Sequence, residues 1–124
     1  MYSSAVTPNP TLAPNHTPYG AHDGEKGQVP MILCGARGWA IDPDNPEMDV
    51  TVRVLSDGKE IASQVADKNR GDVPLYCPDK TCGFDINLAD LISPNQEHSI
   101  LVQAKDIQTG DWITLDTPKI INCK

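Results

Sequence analysis

The chain has 124 residues, a formal net charge of −7 and four cysteines. That length accommodates one domain with a small core. The acidic balance, with no basic stripe and no basic-aromatic interleaving, argues against nucleic acid as a partner. The longest apolar run, Met31–Cys34, is far short of the roughly 20 residues a membrane helix needs, so no membrane insertion is expected.

In chain order, residues 1–30 come first and read as an extended tail. Pro8, Pro10, Pro14, Pro18 and Pro30 fall in this stretch, and Val6, Leu12 and Val29 are its only aliphatics larger than Ala. Such a segment buries too little apolar surface to offset its ordering entropy and needs outside support. The leading expectation is head-to-tail docking on an identical subunit by strand addition or polyproline contact, with Val6, Leu12 and Tyr19 as anchors. Two alternatives stand beside it: a linker to a carbohydrate-binding module, or a tail folded back over an edge of its own domain. Asn15-His16-Thr17 is a glycosylation sequon, and Thr7, Thr11 and Thr17 each neighbour a proline, as in O-glycosylated stalks.

Residues 31–124 make up the expected domain. Short strands separated by turns are predicted at Val29–Cys34, Ala36–Asp42, Met48–Ser56, Lys59–Ala66, Gly83–Leu88, Ser99–Ile107, Trp112–Leu115 and Lys119–Cys123. The clearest is Met48–Ser56, where Met48, Val50, Val52 and Val54 alternate with polar residues; Asp57-Gly58 then turns the chain into the next strand. Ala89–Ile92 suits a single helical turn. The pattern predicts an all-β fold, an immunoglobulin-like two-sheet β-sandwich preceded by the extended tail, with Trp39 between the sheets.

Four cysteines allow three pairings. The favoured set is Cys77–Cys82, closing a short turn, and Cys34–Cys123, joining the first and last strands. CxxC knuckles are absent, so disulfides and an oxidising, extracellular setting are expected rather than zinc. No charged n-region with an apolar h-region opens the sequence, so a secreted form would be a processed chain.

Gly38-Trp39-Ala40-Ile41-Asp42-Pro43-Asp44-Asn45-Pro46, the Asp57-Gly58 hairpin, Asn69-Arg70-Gly71-Asp72-Val73, Gly83-Phe84-Asp85-Ile86 and the Pro118…Cys123 ending occur in order. Together they resemble a bacterial extracellular β-sandwich module with a G-W-A-x-D-P-D-N-P signature, often appended to secreted enzymes and surface proteins. The resemblance covers about residues 34–123 and implies a fold but no single activity.

The acidic residues Asp42, Asp44, Asn45, Glu47 and Asp49 admit a calcium reading, but they lack the Gly and bidentate Glu of an EF-hand loop, and Pro43 and Pro46 interrupt them. A turn capped by Asp side chains, with Arg70 paired to Asp42 or Asp44, is the expectation. Arg70-Gly71-Asp72 spells an adhesion tripeptide whose charges already have that structural use. His16, His22 and His98 are too scattered for a catalytic or metal centre. No serine nucleophile motif is present, so neither an enzyme nor a cofactor is expected. Trp112, after a turn, is placed on a polar face where a sugar ring could stack. The functional expectation is a non-catalytic extracellular structural subunit of a filament or surface assembly, glycosylated on its tail; the alternative is a carbohydrate-binding module.

Overall fold

The structure is a computed structural model and describes residues 16–45, 48–69 and 81–124. Among the described residues nine strands form two packed sheets: β1 (Tyr19–His22), β2 (Gly27–Val29), β3 (Gly35–Ile41), β4 (Val50–Ser56), β5 (Lys59–Ala66), β6 (Gly83–Asn87), β7 (Glu97–Lys105), β8 (Trp112–Thr114) and β9 (Lys119–Cys123). One sheet has the order β1-β3-β6. The other runs β2-β9-β7-β4-β5, with β8 also paired to β7. All pairings between named strands are antiparallel except β2 with β9.

Alternation builds the core. Val50, Val52 and Val54 of β4 and Ile100, Val102 and Ala104 of β7 face inward from the larger sheet, with Ile121 and Cys123 of β9. Ala36 and Ala40 of β3 and Phe84 and Ile86 of β6 meet them from the smaller one. Met48 does not continue the inward row of β4: it stands 55% exposed, before the strand begins. The Asp57-Gly58 hairpin has positive φ at both residues, the backbone that matches strand twist in a two-residue turn.

Three expectations need correction. Val29–Cys34 is not a strand: β2 ends at Val29, and Met31–Leu33 is a 3-10 turn closed by the Cys34 N–H on the Met31 carbonyl. Trp39 is not the aromatic between the sheets. It is half-buried outside the main core, against Cys82, and meets the Tyr19 ring edge-on at a centroid separation of 5.7 Å; Phe84 fills the interior instead. The domain boundary at residue 31 also moves. β1 and β2 lie within the supposed tail, yet they pair with β3 and β9 of the same chain.

Those two strands close one side of the sandwich. β1 lies at the β3 edge of the small sheet and β2 at the β9 edge of the large one, so the chain crosses between sheets in the four residues separating them. The opposite side is closed by a side chain. Gln64 of β5 accepts the Asp85 N–H (2.9 Å) and donates its amide to the Asp85 carbonyl (3.1 Å), copying a strand's hydrogen-bond pair on β6. Lys68 and Gly83 then exchange both backbone bonds at 2.8 Å.

Cys34 and Cys123 form a disulfide, fastening the residue before β3 to the end of β9 across 89 positions. Cys82 is disulfide-bonded too, and Cys77 lies outside the described residues.

Candidate functional site: the N-terminal arm and its seat

The part of the N-terminal segment that the structure describes is an arm held by its own domain. At its start, His16 gives its backbone N–H to Asp44 Oδ2 (2.6 Å), and its Nδ1 lies 2.9 Å from Asp44 Oδ1. The ring contact, then the backbone N–H, holds the Asp44 carboxyl below the usual range. Tyr19 opens β1 and packs on Trp39. After β1, the Asp23 N–H bonds the Arg37 carbonyl (2.8 Å), and Lys119 Nζ donates to the Gly24 carbonyl (3.0 Å). β2 then runs parallel to β9, and Lys124 N–H and Met31 N–H extend the pairing to Val29 and Lys124 carbonyls at 2.9 Å.

The seat for β1 is made by absent side chains. Gly20 pairs with Ala40 and His22 with Gly38. A Cβ on Gly38 would strike the Ala21 carbonyl of β1 and crowd the Phe84 ring; a Cβ on Gly20 would strike the Trp39 carbonyl. Glycine is what lets the two backbones approach this closely. The row His22–Gly38–Phe84 crosses the small sheet, and cross-strand partners share a face. His22 is accordingly 1% exposed, and neither ring nitrogen has a hydrogen-bond partner among the described residues. Burial, aided by the charge of Lys119, lowers its pKa to about 4 against the opposing pull of Asp116 and Asp23.

Asp42 anchors the end of β3. Its side chain is fully buried; Oδ1 accepts the Asp44 N–H (3.0 Å) and Oδ2 the Ile107 N–H (3.1 Å) beyond β7. This carboxylate therefore ties the two sheets together, and the expected Asp-capped turn is present. Arg70 and Arg70-Gly71-Asp72 lie outside the described residues, as does Glu47. Among the described residues no group of three or more His, Cys, Asp or Glu is arranged to hold a metal. With both oxygens of Asp42 and the carboxylate of Asp44 engaged by protein donors, nothing in the described part of this loop favours calcium.

The remaining sequence candidates separate. Val6, Leu12, Thr7, Thr11 and Asn15 lie outside the described residues; Thr17 is exposed. His98 is buried beside Ser56 (3.4 Å) and Asp57 (3.2 Å), a trio that evokes a hydrolase triad. The geometry is wrong for one: serine and carboxylate both address Nδ1, while Nε2 donates to the Ser93 carbonyl (2.9 Å). The trio instead fastens the β4–β5 hairpin to the start of β7, where Asp57 Oδ1 also accepts the Ser99 N–H (2.9 Å). That backbone bond, then His98, lowers the Asp57 pKa.

Trp112 stands half-buried on β8, opposite Lys105. The Arg53 guanidinium covers its ring at 4.3 Å and also meets Gln103 (2.9 Å) and Glu60 (3.1 Å). An open depression of about 480 Å³ lies by β3 and β6, and two of its charged side chains, Arg37 and Asp85, pair at 3.2 Å. Sequence reasoning missed the His16–Asp44 contact, the burial of His22 and the Gln64 bridge, for which a single sequence carries no periodic signal. No helix among the described residues is long and apolar enough to cross a membrane. Comparison of the chain with protein-family models, curated proteins and solved structures gave no match.

Proposed function

We propose that this chain is a secreted, non-catalytic, immunoglobulin-like module that assembles head to tail, residues 1–15 of one copy adding to a neighbouring copy. The observation that carries the reading is the way residues 16–29 are held: both strands of the arm attach by backbone pairing at sheet edges, β1 on one sheet and β2 on the other. A segment whose described half docks by strand addition is suited to dock its other half in the same way. Fifteen residues extend about 50 Å, enough to reach across an adjoining domain of this size.

The immunoglobulin-like assignment is supported by a first strand divided between two sheets and by Lys68 bridging to β6 on the far side. The Cys34–Cys123 bond differs from the mid-sheet bridge of antibody domains, because it joins strand ends. Disulfides suit an extracellular location, where Asn15 and the tail threonines would carry glycans.

Electron microscopy with light-scattering mass tests the proposal on the oxidised chain and on a version starting at His16, which keeps both arm strands. Filaments or oligomers formed only by the full chain support it. A full-length monomer matching the truncated one contradicts it.

A second reading, carbohydrate binding, draws on Trp112 with Arg53, Gln103 and Thr114 beside it. Arg53 already occupies a face of the ring, so a sugar would have to use the other face or displace it. Glycan-array binding abolished by Trp112→Ala would favour this reading.

A further inference from the structure

The arm contains one group at odds with its surroundings, the buried and unpartnered imidazole of His22. A buried polar group without a partner is destabilising, so β1 is seated against a penalty that the rest of the strand offsets. β1 has only four residues and lies at a sheet edge, with β3 as its one strand partner among the described residues. Beyond it, Gly24 lies within the crossing to the other sheet and Gly27, with φ 78°, ends it. We propose that β1 is an acid-released strand: protonation of His22 drives it out of the interior and detaches residues 19–22 from β3, while β2 and the large sheet stay in place.

The charges around His22 come from three directions. Lys119 of β9, whose ammonium is fixed on the Gly24 carbonyl, opposes an imidazolium. Asp116, before β9, and Asp23, just after β1, favour it but do not offset burial and Lys119. The partners across the sheet, Gly38 and Phe84, carry no charge. On β3, Arg37 belongs to the opposite face, paired with Asp85. Gly24 covers the ring closely enough that a Cβ there would stand 3.6 Å from Nε2.

The sign follows from proton binding. In place, His22 titrates at about 4 against 6.5 when released, so the released form binds more protons between those values. Release is therefore favoured as pH falls below about 6.5, and on these values it becomes about 30-fold more favourable at pH 5 than at pH 8. Released, β1 would leave the β3 edge open. The device operates whether or not copies of the chain assemble.

Amide hydrogen exchange on the full chain, corrected for the intrinsic pH dependence of exchange, tests it. Between pH 8 and pH 5, protection of the Ala21 and Trp39 amides, which face each other across the β1–β3 seam, should fall by about 30-fold, while Ala40, bonded to the Cys82 carbonyl, and Val52–Val54 and Val102–Ala104 keep theirs. His22→Gln, or His22→Leu should the first fail to fold, should abolish the pH dependence. Constant protection of β1, an equal loss in the large sheet, or an unchanged response in a folded variant would overturn it. If neither variant folds, the wild-type imidazole titration decides by NMR. An apparent pKa well below 6.5, with β1 amide shifts moving on the same curve, supports release; a pKa of 6.5 with β1 still protected refutes it.

Discussion

At the scale of single residues, Asp42 shows how much one carboxylate can do once it is buried. Both oxygens accept backbone N–H groups, one within its own turn and one from the far end of β7. An amide cannot replace it, because asparagine would turn an NH2 toward one of those donors. Asp42→Asn should therefore destabilise the domain by about 2–3 kcal/mol, the range for a lost charged hydrogen bond with a donor left unpaired. Urea denaturation should show the midpoint falling with the slope unchanged. The aspartates of this segment were legible in the sequence as capping groups, since Asp-Pro-Asp-Asn is turn chemistry. That one would reach Ile107, 65 positions on and just past β7, was not, because the contact exists only after the sheets pack.

At the scale of elements, strands whose signals are local were the legible ones. Lys59–Ala66 and Lys119–Cys123 run over the residues predicted for them, one entered from a two-residue hairpin turn and the other bounded by Pro118. Val29–Cys34 misled because its apolar run resembles a buried strand, whereas the chain turns after Pro30, which has no N–H for a ladder. β1 was invisible for a different reason: Tyr19-Gly20-Ala21-His22 has neither alternation nor branched residues, and its stability comes from glycines on both strands. Trp39 misled through composition, since a large aromatic was assigned to the interior while alanine and glycine fill the inward face of β3. The Gln64 bridge lies beyond local pattern altogether. It predicts that Gln64→Glu, which loses the donor and sets a carboxylate against the Asp85 carbonyl, costs about 1–2 kcal/mol. The same variant should raise amide exchange at Asp85 with little effect on β7, and a silent variant would show that the seam closes without it.

For the whole molecule, closure is the organising feature. The arm shuts one side, Gln64 and Lys68 shut the other, and the Cys34–Cys123 bond joins strands at one end. Its loop spans 89 positions, so removing it as Cys34→Ala with Cys123→Ala should cost about 4–5 kcal/mol on the chain-entropy account. A melting temperature unchanged by that pair would mean the ends are held by packing alone. The all-β class, the two sheets and this disulfide could be read from alternation and cysteine positions; the docking of residues 19–29 on their own domain could not, because neither β1 nor the three residues of β2 carry a strand's alternating pattern.

That docking makes the central claim testable in one measurement: hydrogen exchange of the peptides covering residues 1–15 across a concentration series at neutral pH, read beside those covering 16–29. Strand addition between copies predicts that residues 16–29 are protected at every concentration, while residues 1–15 gain protection only as the mass rises with assembly. Residues 1–15 equally exchanging at all concentrations, or equally protected in the dilute monomer, would contradict it.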